Sequence, residues 1–399
     1  MRGFRARNLL IRILDDSLTD ATILFRTPDQ NSTAGVRRNE ASQADIVIRV
    51  FRERFFSQML CYGNLGLAEA FMDGDFEMEK GRLHDFLIIL LRNRLNQKVG
   101  KDPRSLWRIG AYRVVNALYG KRKNVQRHYD IGNELFESFL DSRLVYSCGY
   151  ANTLQDDLEQ LQTNKFDRIC RKLDLKSGDH VLDIGCGFGG LLMFAATHYG
   201  ATGTGITISR HQFEQGNLIL NKHGLSNRVN IEFRDYRAVE DRFDKVVSVG
   251  MLEHVPRSQY VRYFGKIARV LKPGGKGLVH AIGCNSSRNE HDPFIQKYIF
   301  PGSNQPKLSE IAGFLERSHL AILDVENIIR HYHPTALAWL NRFQVNKGKL
   351  DSQKYDTVFQ KMWEYYLSCA AAAAVASDAA VFQVLFAKDY AGHIPLQRV

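Results

Sequence analysis

A glycine-rich turn at residues 181–190 is the stretch whose residue types and spacing are best suited to chemistry. Its sequence is V-L-D-I-G-C-G-F-G-G, and an apolar pattern of helical type begins directly afterwards at Leu191. This order predicts a buried strand, a tight turn and a helix. Glycine is needed where the backbone takes a positive φ or approaches a ligand closely, and the free N–H groups at the start of the helix point to the same place. The turn is therefore predicted to hold a nucleotide-like ligand.

An acid inside this turn distinguishes between nucleotide ligands. The bare spacing G-x-G-x-x-G also occurs in ordinary strand–helix turns. Asp183 extends it to D-x-G-x-G-x-G, which resembles the S-adenosylmethionine-binding turn of class I methyltransferases. A nicotinamide enzyme would need an acid about 20 residues further on, at the end of the second strand. The strand predicted at 202–208 is followed by Ser209 instead, so we expect S-adenosylmethionine as the ligand.

The elements that must position this turn alternate between strands and helices. Strands are predicted at 181–184, 202–208, 229–233, 243–250, 277–282, 322–329 and 381–386, with helices at 191–196, 210–223, 257–271, 336–343 and 355–376. This alternation is typical of an α/β fold with a doubly wound, seven-stranded Rossmann-like sheet. Ligands of such sheets bind beyond the carboxyl ends of the strands. Glu253 and His280 are therefore expected at the binding end.

A small α+β domain is predicted before this sheet, at residues 1–91. Strand-like runs occur at 22–25 and 45–50, separated by a polar, turn-rich stretch at 28–43, and helical patterns occur at 52–61, 65–72 and 83–95. Residues 1–91 contain no set of side chains with a spacing typical of a catalytic site. We expect a basic helical linker at 92–127 and a catalytic domain at 128–399.

Positive charge is concentrated in the front of the chain. The net charge is +11, and residues 1–127 hold 23 basic against 14 acidic residues. Between Arg92 and Arg127, eleven basic residues accompany one acid, Asp102. Such a run can attract nucleic acid, an anionic membrane or only solvent. Apolar residues recur within it at helical spacing, which fits a linker helix that docks on the second domain as well as a helix at a membrane surface.

Composition excludes several other classes of protein. The six cysteines form no C-x-x-C pair, and the H-x-H at His331 and His333 has no further ligands in the pattern, so we expect no metal and reduced thiols in a cytosol. No window of about 18 consecutive apolar residues occurs. We therefore expect no membrane-spanning segment.

Five further segments together resemble bacterial cyclopropane fatty-acyl phospholipid synthases, the family that includes the mycolic acid cyclopropane synthases. They are N-L-G-L-A-E-A-F-M-D-G-D-F at 64–76, H-Y-D-I-G-N-E-L-F at 128–136, Y-S-C-G-Y at 146–150, S-V-G-M-L-E-H at 248–254 and K-Y-I-F-P-G at 297–302. The match covers nearly all of the chain. Three positions depart from the family pattern: Ala151 replaces an aromatic residue, Ser303 replaces a glycine, and Pro334-Thr335-Ala336 replaces basic-Thr-Leu.

The resemblance implies a site that binds two small ligands. By motif, a bicarbonate ion that acts as a base would be held by Cys148, Glu253, His280, the backbone of Ile282, and Tyr332. The cofactor S-adenosylmethionine would be contacted by Tyr146, Ser147, Asp183, Gly185, Gly187, Gly189, Thr207, Gln212, Asp235 and Tyr236. Taken singly, several of these residues also have a purely structural explanation. Cys148 would then be a small residue of the buried core and His280 a core histidine. Glu253 would cap the helix near Pro256, and Asp235 would be a solvated acid.

The implied reaction is transfer of a methylene group to the cis double bond of unsaturated phospholipid acyl chains. A double bond is a weak nucleophile, so the methyl donor must be held against it in a dry pocket, and the resulting carbocation needs nearby negative charge or π-faces and a base. The apolar and aromatic insertion at 285–305 would form the mouth of an acyl-chain tunnel. We expect a cytoplasmic protein bound peripherally to the anionic inner face of the cell membrane, with a homodimer left open.

Three alternatives remain open. A relative that leaves a methyl or methylene branch shares the same cation, and the sequence does not show which proton is lost. A nucleic-acid methyltransferase is favoured only by the net charge, and M-L-E-H at 251–254 stands where such enzymes carry D/N-P-P-(Y/F). A non-enzymatic lipid carrier would not need the S-adenosylmethionine turn. We therefore expect no nucleic-acid partner.

Overall fold

The structure, a computed structural model, describes residues 2–36, 43–95, 132–286 and 292–389. These residues divide into two compact units. The first takes the described residues within Met1–Ser138, Glu290–Pro301 and Leu340–Ser377, and the second takes those within Phe139–Asn289, Gly302–Trp339 and Asp378–Val399. Much of the insertion and the long helix near the C-terminus thus pack in the first unit, although the sequence assigned both to the catalytic domain.

The first unit begins as the predicted α+β domain. Its four strands are β1 (Thr22–Arg26), β2 (Asn31–Gly35), β3 (Ile46–Val50) and β4 (Phe76–Lys80), in the order β2-β1-β3-β4, and its first helices are α1 (Arg2–Ser17), α2 (Arg54–Tyr62), α3 (Asn64–Met72) and α4 (Leu83–Arg92). β1 and β3 confirm the predicted strands. β2 lies inside the stretch predicted as turns, because an edge strand paired only with β1 needs no alternating apolar pattern.

The insertion is anchored to two helices of the same unit. Lys297 Nζ lies 2.7 Å from Glu69 Oε1 on α3, and Asn64 Nδ2 donates to Asp292 Oδ2 at 2.9 Å. The ring of Phe294 packs edge-on against Tyr365 on the long helix α12 (Thr357–Ala376, numbered with the remaining helices below), with centroids 5.0 Å apart. These contacts order the segment, and its place at an acyl-chain tunnel stays a prediction.

The second unit contains the predicted seven-stranded sheet. Its strands are β5 (His180–Ile184), β6 (Thr202–Thr207), β7 (Val229–Phe233), β8 (Phe243–Val249), β9 (Leu271–Cys284), β10 (Ala321–Asn327) and β11 (Ala379–Ala387), in the order β10-β11-β9-β8-β5-β6-β7. β5 to β9 are parallel, and β11 runs antiparallel between β9 and β10. The fold class predicted from the sequence is confirmed.

The remaining helices complete the chain order. They are α5 (Asn133–Phe139), α6 (Leu158–Lys172), α7 (Gly190–Tyr199), α8 (Arg210–Lys222), α9 (Tyr260–Val270), α10 (Leu308–Arg317), α11 (Ile329–Asn346) and α12. Residues 96–131, which carry most of the predicted basic linker and the start of the H-Y-D motif, lie outside the described residues. In the part of the chain that is described, no helix has the length and apolar character needed to cross a membrane.

Two apolar cores, one on each face of the sheet, hold the central strand in place. Leu182 and Ile184 of β5 pack in the core that contains Phe264 of α9, whereas Val181 packs in the core that contains Phe194 of α7. Successive side chains of a strand point to opposite faces, so a strand covered on both faces must be apolar throughout. This is why Val181, Leu182 and Ile184 are apolar, whereas Asp183 is an acid buried within the same strand.

Candidate functional site

The glycine turn has the geometry that the sequence predicts. Gly185, Gly187 and Gly189 have φ values of 81°, 57° and 85°, and α7 begins at the next residue. A Cβ added at Gly189 would lie 2.8 Å from the side chain of Ile231, and one at Gly185 would lie 3.0 Å from that of Met251. A Cβ at Gly187 would meet no atom of the described structure within 4 Å. The turn is thus closed at its ends and open at its centre, as a ligand cradle requires.

Asp183, immediately inside the turn, is buried without its full set of partners. Its side chain is 3% exposed, and its Oδ1 atom has no hydrogen-bond partner among the described residues. Burial raises the pKa of Asp183 to about 7, against the opposing charge of Lys165. A buried carboxylate oxygen left in this state is expected to accept a hydrogen bond from a ligand.

The end of β6 brings two predicted cofactor residues together. Thr207 Oγ1 donates to Gln212 Oε1 at 2.8 Å, and the backbone of Ser209 donates to Thr207 Oγ1. Ser209 also caps α8, because its side chain accepts from the Gln212 backbone. The strand end and the first turn of the next helix therefore form one hydrogen-bonded group.

Asp235 has a local partner for both carboxylate oxygens. Oδ1 accepts from the backbone N and from Nε of Arg237, each at 2.8 Å, and Oδ2 accepts from its guanidinium at 2.6 Å. These hydrogen bonds from Arg237 lower the pKa of Asp235. Tyr236 packs edge-on against Tyr263, with ring centroids 5.4 Å apart. The expected contact of Asp235 and Tyr236 with the adenine ring stays a prediction.

The Y-S-C segment rests on two buried polar residues of α6 that sequence reasoning missed. Lys165 Nζ donates to Ser147 Oγ at 2.8 Å, and Gln162 Nε2 donates to the Ser147 carbonyl at 2.9 Å. Both α6 side chains belong to residues that are 0% exposed. Lys165 occupies the apolar face of the helix, four residues from Leu161 and from Ile169, and a charged residue at such a position was the available signal.

Lys165 also connects the predicted sites electrostatically. Burial lowers the pKa of Lys165 to about 7, while nearby acids oppose this effect. Its charge in turn acts to lower the pKa values of Cys148, Asp183 and His280. The pKa values of these three predicted site residues therefore all respond to the charge of one buried amine.

Cys148 and Tyr332 are brought to one neighbourhood by the start of α11. Cys148 Sγ lies 3.9 Å from the carbonyl of Ile328, next to the first residue of α11, and the backbone of Ala151 donates to His331 Nδ1 at 3.0 Å. Burial raises the pKa of Cys148 well above its usual range, so the thiol is neutral. Tyr332 is buried and packs edge-on against Trp339, with centroids 5.7 Å apart.

Thr335 joins the Y-S-C segment to the start of α11 by hydrogen bonds, although it lies in one of the stretches that depart from the family pattern. Its hydroxyl accepts from the buried Gly149 N–H at 3.1 Å and donates to the His331 carbonyl at 2.7 Å. Thr335→Val is expected to lower the free energy of unfolding by about 1–3 kcal/mol, because the buried amide loses its acceptor. Urea denaturation measures this, with Thr335→Ser as the control that keeps the hydroxyl. Because Thr335→Val keeps the γ-methyl group, unchanged stability in that variant would contradict the role assigned to the hydroxyl.

Glu253 and Ile282 contact each other directly. The backbone N–H of Ile282 donates to Glu253 Oε1 at 2.5 Å, and Glu253 Oε2 is buried with no hydrogen-bond partner among the described residues. Burial raises the pKa of Glu253 to about 7, against the effect of the Ile282 hydrogen bond. The alternative that Glu253 caps the helix near Pro256 is wrong, since neither the helical turn Arg257–Gln259 nor α9, which follows it, has a side-chain cap. The amide of Ile282, expected to face an anion, is used by Glu253.

His280 precedes Ile282 by two residues on β9, so both side chains share a face of the strand. It is 1% exposed, and its Nδ1 lies 3.4 Å from the amide nitrogen of Gln383 on β11. Burial, with smaller effects from Lys165 and Lys172, lowers the pKa of His280 to about 3. The imidazole is therefore neutral at physiological pH. Across the described residues, no group of three His, Cys, Asp or Glu side chains is arranged to hold a metal ion.

Comparison with known proteins gives one consistent picture. A family model described as mycolic acid cyclopropane synthetase matches residues 117–384. The cyclopropane-fatty-acyl-phospholipid synthase of Escherichia coli K12 is 39% identical over 90% of this chain and 91% of its own length. A "Probable fatty acid methyltransferase" of Pseudomonas putida is 36% identical over 67% of this chain and 70% of its own.

A solved structure agrees with these sequence relatives. The mycolic acid cyclopropane synthase CmaA1 complexed with SAH and CTAB superposes with a TM-score of 0.60 at 26% identity, and the match covers 66% of this chain and 97% of that one.

Proposed function

Because this chain belongs to the mycolic acid cyclopropane synthetase family and is an S-adenosylmethionine-dependent methyltransferase, we propose that it builds cyclopropane rings on the unsaturated acyl chains of membrane phospholipids. The observation that carries the proposal is Glu253, a buried carboxyl group with one oxygen held by the Ile282 amide and the other without a partner among the described residues. It follows β8, at the carboxyl end of the sheet, where ligands of such folds bind.

The residues of the glycine turn fit S-adenosylmethionine. Asp183 offers an unpaired acceptor atom, and Gly187 leaves open space beside a backbone that only glycine adopts easily. Thr207 with Gln212, and Ser147 with Tyr146, would complete the contacts. When bound, S-adenosylmethionine supplies an electrophilic methyl group, and bicarbonate supplies the base that ring closure requires.

We propose that Glu253, Cys148 and Tyr332 together hold a small anion such as bicarbonate. Since the Ile282 N–H donates to Oε1, the proton of the acid form resides on Oε2, the other carboxyl oxygen. With a pKa of about 7, Glu253 carries this proton for much of the time at neutral pH. Cys148 is a neutral thiol and Tyr332 carries a hydroxyl, so each adds a donor. A set of neutral donors can hold an anion that ionised carboxylates would repel.

The chain's own residues also meet the demands of the alkene chemistry. In the overall change the C–S bond breaks, two C–C bonds form, and one proton leaves the transferred carbon, so that a CH₂ group is added. The carbocation between these steps needs π-faces, and the aromatic rings of Phe139, Tyr146, Tyr332 and Trp339 pack against one another near the Y-S-C segment. Phe139, Tyr332 and Trp339 are buried, which would also keep water from the cation.

We further propose that the protein acts peripherally on the anionic, cytoplasmic face of a membrane. Eleven basic residues between Arg92 and Arg127 would attract the headgroups. The residues before the sheet would bind lipid, and a homodimer remains a further hypothesis. We expect no nucleic-acid substrate, because M-L-E-H follows β8.

Neutralising Lys121, Arg122 and Lys123 by glutamine is expected to weaken binding to anionic vesicles, by about 1 kcal/mol for each basic residue that meets the headgroups, and to reduce its dependence on salt. Vesicle sedimentation at several salt concentrations measures this. The control replaces the basic residues Lys176, Lys222 and Arg242, for the same change in net charge. Equal weakening in the two triple variants would contradict a specific membrane role for the basic stretch.

One assay tests the proposed reaction. The protein is incubated with S-adenosylmethionine and vesicles of unsaturated phospholipid, and the acyl chains are analysed by mass spectrometry and proton NMR. We expect a gain of one CH₂ group with the upfield signals of cyclopropane protons. A branched chain would favour the second candidate, a lipid C-methyltransferase that leaves a methyl or methylene group, which the name of the Pseudomonas putida relative supports.

A further inference from the structure

Gln383 is a polar residue at the centre of an apolar strand, and it faces His280. β11 pairs with β9 in a register that places Gln383 directly opposite His280, and Gln383 is 0% exposed. Its two amide atoms contact different partners. Oε1 accepts from Lys172 Nζ at 2.9 Å, and Nε2 lies 3.4 Å from His280 Nδ1.

Lys172 determines which way this amide points. Its side chain is 3% exposed, and its Nζ lies 2.6 Å from Glu326 Oε2 and 3.5 Å from Asp324 Oδ2, in addition to Gln383. An ammonium group has three donors and no acceptor. Reversing the amide would bring its NH₂ group against this cation, so the oxygen must face Lys172.

The acids around Lys172 keep it charged. Burial lowers the pKa of Lys172, and the hydrogen bond with Glu326 opposes that effect. Burial likewise acts to raise the pKa of Glu326, but the hydrogen bonds from Arg168 and Lys172 outweigh it and lower that pKa. Arg168 holds Glu326 with two hydrogen bonds of 2.9 and 2.8 Å. Lys172 Nζ thus has a carboxylate oxygen of Glu326, one of Asp324 and the amide oxygen of Gln383 as acceptors, which is the environment of a donating ammonium group.

The fixed amide in turn determines the tautomer of His280. An amide NH₂ group can only donate, so Nδ1 of His280 must offer its lone pair. The neutral imidazole then carries its single proton on Nε2. We propose that Lys172 and Gln383 are positioning residues that lock His280 in the Nε2–H tautomer, so that it presents an N–H donor to the anion of the proposed reaction. The purpose of the lock rests on that proposed function, whereas the tautomer itself does not.

The opposite tautomer would direct a lone pair toward the anion and repel it. Gln383→Glu is designed to produce this state. A carboxylate at the same position still accepts from Lys172, but it also accepts from His280, which draws a proton to Nδ1. The variant preserves the size of the side chain.

Nitrogen-15 NMR of histidine-labelled protein, without substrate or bicarbonate, measures the tautomer directly. His280→Asn identifies the signals of His280 by their loss. In the unmodified protein we expect protonated Nε2 and unprotonated Nδ1, and in Gln383→Glu we expect protonated Nδ1. A protonated Nδ1 in the unmodified protein overturns the proposal, as does an unchanged tautomer in folded Gln383→Glu. If Gln383→Glu does not fold, the measurement on the unmodified protein decides alone.

Activity provides the second readout. Gln383→Glu is expected to keep its S-adenosylmethionine affinity and to lose at least about tenfold in turnover, because the anion would lose the N–H donor that His280 presents to it. Asn217→Asp is the control for introducing an acid in place of a partly buried amide, since Asn217 bonds backbone groups of Phe213 and Ile231. Normal turnover in Gln383→Glu with a changed tautomer would contradict the role in catalysis. Failure of the protein to form cyclopropane rings would leave the NMR result intact, so the two proposals fail separately.

Discussion

Glu253→Gln is expected to slow turnover by about 10²- to 10⁴-fold without changing the affinity for S-adenosylmethionine. Glutamine keeps an oxygen that can accept from the Ile282 amide and an NH₂ group that can donate where Oε2 now lies. It cannot release or take up a proton. The loss would therefore measure what the exchangeable proton of Glu253, which is proposed to orient the bicarbonate base, contributes to turnover.

Turnover and calorimetric affinity should be measured on one preparation, in buffer with and without bicarbonate. Removing bicarbonate from the unmodified protein is expected to produce a comparable defect, and adding it back should restore that protein but not the variant. If the role of Glu253 is only to hold the turn after β8 against β9, Glu253→Gln should retain normal turnover. That result would remove the catalytic role of Glu253 and most of the case for an anion site.

The pH dependence of stability provides a control on the same variant. The folded protein holds a proton on Glu253 up to a pH of about 7, whereas the unfolded chain releases it near the ordinary value of 4.5. The folded state therefore binds more protons between these two values, and its stability falls as the pH rises through them. Glu253→Gln should remove this part of the dependence, which thermal unfolding at about pH 5 and about pH 8 would show.

Gly187→Val is expected to abolish S-adenosylmethionine binding while leaving the protein folded. Gly187 has a φ of 57°, which a β-branched residue adopts only with strain, and the new side chain would occupy the open space at the centre of the turn. Calorimetric titration with S-adenosylmethionine measures the effect. Unchanged affinity would contradict the assignment of the turn to the cofactor.

The chain offers a matched control at the other end of β5. Gly178 has a φ of 86°, and a Cβ there would also meet no atom of the described structure within 4 Å. Gly178→Val should therefore cost similar stability but keep the affinity for S-adenosylmethionine. Loss of binding in both variants would mean that strain, rather than blocked space, accounts for the effect.

Local features of the sequence were sufficient for the sheet and for the cofactor turn. The central strands β8, β9 and β11 were predictable because strands covered on both faces are largely apolar, and the edge strand β7 because its residues alternate between apolar and polar. The turn was predictable because its glycine spacing reports positive φ values. β2 and β4 were missed, since the short strands of a small sheet carry no such continuous apolar pattern.

The arrangement within the site was decided by the tertiary structure. The sequence supplied Glu253 and Ile282 as separate residues, but only the packing of the turn after β8 against β9 makes one the hydrogen-bond partner of the other. Lys165, Lys172 and Gln383 are ordinary residues in the sequence, and they become important because folding buries them beside Ser147, Glu326 and His280. Strand register determines which polar groups contact each other, and burial determines how far their pKa values shift. Neither can be read from the order of residues alone.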